Sequence, residues 1–150
     1  MKKFIIIIVA VVLSIVNANA QLNIRKSESS LKEIKTISAY WIWLYEDANG
    51  YYLVAKSDNQ FDDNFYWLSI GSNKGECLDS IDGLISIANG SSDDDYYVED
   101  TFGGKLHLFK TQLLGEKIVT IADTGHRYAG TAQISTIYLN KAKKWIEQNI

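Results

Sequence analysis

Two runs of aromatic and β-branched residues, separated by the tetrapeptide DANG, constrain the fold more than any other feature. The first run covers residues 35–46 (KTISAYWIWLYE) and the second covers residues 51–57 (YYLVAKS). Asn-Gly is the strongest short signal for a β-hairpin, because a type I′ turn needs positive φ at both of its central residues. The segment therefore predicts an antiparallel hairpin that turns at Asn49-Gly50.

Strict alternation along this hairpin predicts two chemically different faces. Counting outward from a two-residue turn places Glu46 opposite Leu53 and Leu44 opposite Ala55, so that the aliphatic residues share one face. The other face collects aromatic rings and one lysine, which are Trp41, Trp43, Tyr45, Tyr52 and Lys56. These five residues are the candidate binding site.

Two interpretations of this aromatic-rich surface are open. Burying one tryptophan removes about 150–250 Å² from water, which is worth roughly 4–6 kcal/mol at about 25 cal/mol per Å². That energy favours helices packed over the rings, as part of the core. Alternatively, part of the surface is open and binds a partner, because tryptophan and tyrosine combine an apolar ring with a polar edge.

The remainder of the chain predicts further strands and two helices. Residues 73–90 have helical periodicity, with one apolar face made of Cys77, Leu78, Ile81, Leu84, Ile85 and Ala88. Strand patterns are found at residues 64–72, 96–100, 105–111 and 116–122; residues 130–139 are ambiguous, and residues 140–150 predict a closing helix. The order β-β-β-α-β-β-β-α predicts an α+β fold, with a mainly antiparallel sheet of about six strands and one or two helices packed on a face.

The N-terminal residues have the pattern of a secretory signal peptide. Two lysines precede an apolar run at residues 4–16, and the small residues Ala18 and Ala20 stand just before Gln21. The run is short for a membrane span, so cleavage near Ala20 is predicted, leaving a secreted or periplasmic protein with no stable membrane span. The short signal and the abundance of Ile, Asn and Lys indicate a bacterial source.

This processing divides the chain into three parts. Residues 1–20 are the signal peptide, residues 21–35 are a polar linker, and residues 36–150 are a single α+β domain. Without residues 1–20 the chain carries 13 Lys and Arg against 18 Asp and Glu, a net charge of −5. No basic stripe is present, which argues against a nucleic-acid partner. The lone Cys77 lies on the apolar helix face and is predicted to be a buried free thiol.

No established catalytic or cofactor motif is present in the sequence. There is no phosphate-binding glycine loop, His107 and His126 lack ligands at zinc spacing, and residues 58–63 lack the glycine and glutamate of an EF-hand loop. We therefore expect no cofactor, no metal site and no enzymatic activity.

One short segment resembles a catalytic loop. Residues 121–125 read IADTG, similar to the Asp-Thr-Gly active-site loop of aspartic proteases, in which two such aspartates share a proton. The resemblance implies a hydrolase in which Asp123 is the acid/base and a dimer partner supplies the second aspartate. It covers only these residues and departs at His126, where that family has a small residue; Asp-Thr-Gly is also an ordinary turn after a strand.

The sequence thus predicts an exported, non-enzymatic domain that binds a protein through its aromatic-rich sheet surface. The alternative is a glycan-binding module that uses Trp41, Trp43, Tyr45 and Tyr52, and the more remote alternative is a hydrolase centred on Asp123. The sequence leaves the oligomeric state open.

Overall fold

The computed structural model describes residues 31–61, 63–125 and 130–150, of which Lys32–Ile150 belong to one compact unit. Its elements, in chain order, are β1 (Lys32–Ser38), β2 (Ile42–Asp47), β3 (Gly50–Lys56), β4 (Phe65–Gly71), α1 (Lys74–Asn89), β5 (Asp95–Glu99), β6 (Lys105–Leu113), β7 (Glu116–Asp123), β8 (Thr131–Ser135) and α2 (Thr136–Asn149). The predicted α+β class is confirmed. The predicted signal peptide and most of the predicted linker lie outside the described residues.

The strands form two antiparallel sheets of four, ordered β1-β2-β3-β4 and β5-β6-β7-β8. The sequence predicted about six strands in one sheet, and each half of the chain contains one strand more than its pattern indicated. In the first half, the run at residues 35–46 is broken into β1 and β2 by a turn in which the Trp41 amide donates to the Ser38 carbonyl oxygen at 3.2 Å. In the second half, the ambiguous residues 130–139 supply β8 and the start of α2.

The first strand begins at Lys32, earlier than the domain start predicted at residue 36. It pairs antiparallel with β2, where Lys32 lies opposite Glu46 and its Nζ is 3.4 Å from that carboxylate. The exposed, charged residues of this strand explain why the sequence pattern resembles a linker: β1 is an edge strand and has little apolar area to bury.

The two helices and both sheets share one hydrophobic core. Helix α1 packs on α2, on β4 of the first sheet and on β6 and β7 of the second. Its buried residues are Cys77, Ile81, Leu84 and Ala88, as the periodicity predicted. Its N-terminus is capped as its sequence suggests, since Asn73 Oδ1 accepts a hydrogen bond from the Glu76 amide at 3.1 Å. Helix α2 buries Leu139, Ala142 and Ile146.

The β2–β3 hairpin forms, but the predicted turn is wrong. The loop residues are Ala48 and Asn49, and Asp47 lies opposite Gly50. The carboxylate of Asp47 accepts hydrogen bonds from the amides of Asn49 at 2.7 Å and Gly50 at 3.1 Å, and this side-chain turn replaces the predicted type I′ geometry. Only Gly50 has positive φ here, at 147°.

The change of turn shifts the hairpin register by two residues. Glu46 lies opposite Tyr51 instead of Leu53. Because side chains alternate with a period of two, an even shift leaves each residue on the face predicted for it. The aliphatic face, formed by Ile42, Leu44, Leu53 and Ala55, belongs to the same buried cluster as both helices. The helices therefore pack on the aliphatic face, and the aromatic side of the sheet points away from them.

Among the described residues, no helix is both long enough and apolar enough to cross a membrane.

Candidate functional site

The outer side of the first sheet carries aromatic rings from three adjacent strands. The register places Tyr45 opposite Tyr52, and it places Trp43 and Trp67 on either side of Val54. Phe65 is two residues before Trp67 and so shares its face. We call this surface the aromatic face, and its members are Trp43, Tyr45, Tyr52, Phe65 and Trp67.

The rings of the aromatic face contact one another at steep angles. Trp43 and Phe65 have centroids 5.8 Å apart at an interplanar angle of 62°, and Tyr45 and Trp67 have centroids 5.1 Å apart at 55°. Phe102, from the β5–β6 turn, meets Trp67 at 6.4 Å and 81°. Edge-to-face contacts of this kind are favourable between aromatic rings, and they fix the cluster without a helix above it.

The cluster is partly covered by its own members and partly open to solvent. Tyr52 is only 5% exposed, whereas Phe65 is 37% exposed at the end of the sheet. Trp43, Tyr45 and Trp67 are intermediate. The result is a semi-exposed apolar surface on a rigid sheet.

Polar groups at the border of the aromatic face hold two of its rings in place. The Tyr52 hydroxyl donates to Asp47 Oδ1 at 3.0 Å, and burial, reinforced by this contact, raises the pKa of Tyr52 to about 12. Burial also raises the pKa of Tyr45, with a further contribution from the charge of Glu33 and a hydrogen bond to it. Both phenols therefore stay protonated at neutral pH, and each uses its proton in the hydrogen bond to the neighbouring carboxylate.

A salt bridge borders the aromatic face at the end near Phe65. Lys56 lies opposite Phe65 in the register, and its Nζ is 2.7 Å from Asp63 Oδ1. This contact lowers the pKa of the Asp63 carboxyl, first through the hydrogen bond and then through the lysine charge. The pair is largely exposed at Asp63, so it marks a polar rim and adds little to stability.

The structure brings together four of the five residues predicted as a site. Trp43, Tyr45 and Tyr52 are neighbours on the aromatic face, and Lys56 lies at its rim. Trp41 is separate: it lies in the turn between β1 and β2 and lines a cleft with residues of the second sheet.

Sequence reasoning missed Phe65, Trp67 and Phe102. The alternation in β4 does place Phe65 and Trp67 on one face, but pairing β3 with β4 on the correct side requires the register between strands that a loop separates. The position of Phe102 depends on how the second sheet is placed, and no local pattern signals it.

The segment that resembles a protease loop forms a turn after β7. The Asp123 side chain is mostly buried, and its Oδ1 accepts a hydrogen bond from the Gly125 amide at 3.2 Å. His126, where the resemblance ends, lies outside the described residues. This contact is what the turn interpretation of the segment requires.

Two other side chains that could take part in chemistry, His107 and Cys77, are held in contacts that stabilise the fold. His107 Nε2 is 2.6 Å from Asp95 Oδ1, and its ring stacks on Tyr97 with centroids 4.9 Å apart. Cys77 is a buried free thiol, as predicted, and burial raises its pKa to about 11, which makes it unreactive. Among the described residues, no group of three His, Cys, Asp or Glu is placed to hold a metal ion.

Comparison with known proteins gives no family assignment, because no protein-family model, no curated protein and no solved structure matches the chain significantly. The functional argument therefore depends on the residues of this chain.

Proposed function

We propose that the protein is an exported, non-enzymatic domain that binds a protein partner through the aromatic face. The observation that carries this proposal is that both helices pack on the aliphatic side of the first sheet, which leaves a cluster of tryptophan, tyrosine and phenylalanine rings on its other side. Aromatic side chains in rigid, partly desolvated positions are the residues that most often dominate protein–protein binding energy.

The ring geometry favours a protein over a glycan as the ligand of this face. A sugar chain needs ring planes that lie side by side so that successive sugars can stack on them. Neighbouring rings here meet at 55° to 81°, so they do not form a coplanar row. An uneven apolar surface of this kind suits the side chains of a protein partner, because aromatic residues are enriched among binding hot spots.

The N-terminal sequence supports export. Its charged start, apolar run and small residues before Gln21 fit a signal peptide that is removed, which leaves the domain in the periplasm or outside the cell. The partner is then another exported or cell-surface protein. The hydrolase alternative gains no support from Asp123, because its carboxylate closes a turn.

The proposal is tested by comparing two matched variants in a binding assay. Phe65→Ala removes an exposed ring of the aromatic face, and Leu113→Ala removes an apolar side chain that is 58% exposed on β6, in the second sheet. Immobilised wild-type protein and both variants are incubated with the exported proteins of cells that make the chain, and retained proteins are identified by mass spectrometry.

We expect wild type and Leu113→Ala to retain the same partner, and Phe65→Ala to retain it about tenfold less, since truncating an aromatic anchor costs about 1–2 kcal/mol of binding free energy. Thermal melting of each variant verifies that it is folded. Equal retention by Phe65→Ala and Leu113→Ala would contradict the proposal.

A further inference from the structure

A cleft separate from the aromatic face lies where the first sheet meets the second. It has a volume of about 320 Å³, and its aromatic and polar lining residues include Trp41, Lys56, Glu116, Gln133, Ser135 and Tyr138. This volume is at the lower end of the range for small-molecule sites, roughly 300–1,000 Å³.

The walls of the cleft are fastened to each other by a set of short hydrogen bonds. Asp58, which follows β3, accepts from the Thr131 amide at 2.8 Å and from the Thr131 hydroxyl at 2.7 Å, and its own amide donates to the Thr131 carbonyl oxygen at 2.7 Å. Close by, the Tyr66 hydroxyl donates to the carbonyl oxygen of Gly130 at 2.8 Å. The cleft is therefore preformed, and a ligand would not have to order it.

Ser135 is the feature that points to a ligand. It is 6% exposed, and its Oγ is buried with no hydrogen-bond partner among the described residues. It occupies the N-cap position of α2, yet its side chain makes no capping bond. A buried hydroxyl without a partner costs stability, so its presence calls for an explanation, and a bound ligand is one that the cleft beside it offers.

The direction of the Ser135 side chain follows from the sheet register. Ser135 lies opposite Ile118, and two residues earlier Gln133 lies on the same face. Ile118 and Gln133 both line the cleft. The orphaned hydroxyl is thus on the side of β8 that borders the cleft.

The charges around the cleft disfavour an anionic ligand. The Lys56 ammonium is paired with Asp63 at 2.7 Å, while the carboxylates of Asp58 and Glu116 both line the cleft. Among the described residues that line the cleft, Lys56 is the one cation and it is already paired, so an anion would meet these carboxylates without charge compensation. A metal ion lacks a ligand set, because no triad of acidic, His or Cys side chains is present among the described residues.

A neutral ligand with hydroxyl groups and one apolar surface matches the remaining groups. Trp41, which is 48% exposed, and Tyr138 offer rings for the apolar side of such a ligand. Gln133 and Ser135 can each donate and accept, and Glu116 accepts. We propose that this cleft binds a neutral sugar ring, whose C–H face packs on Trp41 and whose hydroxyl groups bond to Gln133 and Ser135.

The test is titration with simple sugars. The ¹⁵N-labelled protein is titrated with the methyl glycosides of glucose, galactose, mannose and N-acetylglucosamine, and amide and indole shifts are followed by NMR. We expect at least one sugar to shift the signals of Trp41, Gln133 and Ser135 in a saturable manner. No saturable shift with any of the four sugars would overturn the proposal, and so would shifts confined to the aromatic face.

Two pairs of variants make the test specific. Ser135→Ala should weaken binding of the responding sugar about 3- to 10-fold, as expected for loss of one hydrogen bond, and Trp41→Ala should weaken it further. The matched controls are Ser86→Ala on the exposed side of α1 and Tyr40→Ala, next to Trp41, and both should bind as wild type does.

Ser135→Ala also separates a role in binding from a role in folding. Since the replaced hydroxyl has no partner, the melting temperature should stay the same or rise while affinity falls. Unchanged affinity in Ser135→Ala would overturn the proposal. Phe65→Ala should leave sugar binding intact. The proposal of a sugar site and the proposal of a protein-binding surface can therefore be tested independently.

Discussion

At the scale of single residues, one buried hydroxyl links the two halves of the chain. Tyr66 on β4 is almost fully buried, and its hydroxyl donates to the Gly130 carbonyl oxygen at 2.8 Å, just before β8. The bond joins residues far apart in sequence, so it helps to fix the first sheet against the second. It also supports the cleft in which Ser135 lies.

Replacing Tyr66 with phenylalanine should therefore destabilise the protein. Tyr66→Phe keeps the ring and removes the bond, and we expect the free energy of unfolding to fall by about 1 kcal/mol. Urea unfolding followed by circular dichroism measures it. Tyr40→Phe, in which the affected ring is 76% exposed, should change the value by less than about 0.5 kcal/mol. Equal effects of the two changes would show that the bond contributes nothing.

The raised pKa of Tyr52 predicts how the stability of the fold changes at alkaline pH. Its pKa is raised to about 12 from an ordinary value of 10.0, mainly by burial and then by the hydrogen bond to Asp47. Above pH 10 the unfolded chain loses this proton while the folded chain keeps it. Stability from Tyr52 is thus fully present below pH 10 and is lost as pH rises toward 12.

We expect the free energy of unfolding of wild type to fall more steeply between pH 10 and pH 12 than that of Tyr52→Phe, which has no phenol to titrate at this position. Urea unfolding at a series of pH values gives both slopes, and the difference in tyrosinate absorbance between wild type and Tyr52→Phe follows the titration of Tyr52. Tyr40→Phe serves as the exposed control and should keep the wild-type slope. A Tyr52→Phe slope identical to that of wild type would contradict the assigned shift.

At the residue scale, the sequence predicted the strand face on which a side chain lies better than it predicted which residues that side chain contacts. Trp43, Tyr45 and Tyr52 lie on the face assigned to them, because that assignment needs only the parity of each position along its strand. Trp41 was misplaced because a turn interrupts the alternation just before β2. The orphaned hydroxyl of Ser135 had no signal in the sequence, since it depends on atoms brought close by the whole fold.

At the scale of elements, the junction between β4 and α1 requires glycine. Gly71 has φ of 134°, and a Cβ atom at this position would lie 2.4 Å from the Glu76 Cβ. The close approach lets α1 start directly after the strand, with the Glu76 carboxylate accepting from the Ser72 amide at 2.7 Å. Gly83, in the middle of the same helix, has open space where its Cβ would be.

Replacing each of these two glycines with alanine should change the free energy of unfolding in opposite directions. Gly71→Ala should lower the free energy of unfolding by about 2 kcal/mol or more, because of backbone strain and the clash. Gly83→Ala should raise it by about 0.5–1 kcal/mol, since alanine restricts the unfolded chain and fits a helix. Urea unfolding of both variants measures the difference. Destabilisation of similar size in both would contradict the close packing at the junction.

Elements with strong local patterns were predictable from the sequence. Helix α1 and strands β4, β6 and β7 lie within a few residues of their predicted positions, because each has an unbroken helical or alternating pattern. The hairpin turn was wrong because the side chain of Asp47 captures the loop amides, an interaction that competes with the preference of Asn-Gly. Strand β1 was not recognised as a separate strand, because its last residues were read as the start of the run at residues 35–46 and its first residues are mostly polar.

At the scale of the whole molecule, the described residues form two β-β-β-β-α halves that share one core. Each sheet contributes an apolar side to that core, and the helices lie on that side. The sequence indicated the class, but the burial energy that favoured helices over the aromatic rings pointed to the wrong side of the first sheet, because the aliphatic side is also apolar and faces the helices. That choice depends on the fit between α1, α2 and the aliphatic side chains of β2 and β3.

This arrangement explains how aromatic residues can be left outside the core. The aliphatic side supplies the buried area that holds the sheet to the helices, and the rings on the other side gain part of their burial from one another and from Phe102. The molecule therefore keeps a semi-exposed apolar surface without exposing the core. This surface is the one that we propose as the interaction site.

Site-specific photo-crosslinking in cells that export the protein tests the central claim most directly. A benzophenone side chain is placed at position 65, on the aromatic face, and in a second sample at position 113, on the second sheet. We predict a discrete crosslinked protein from position 65 and none from position 113. Equal crosslinking from both positions, or crosslinking from position 113 alone, would contradict the assignment of the aromatic face as the binding surface.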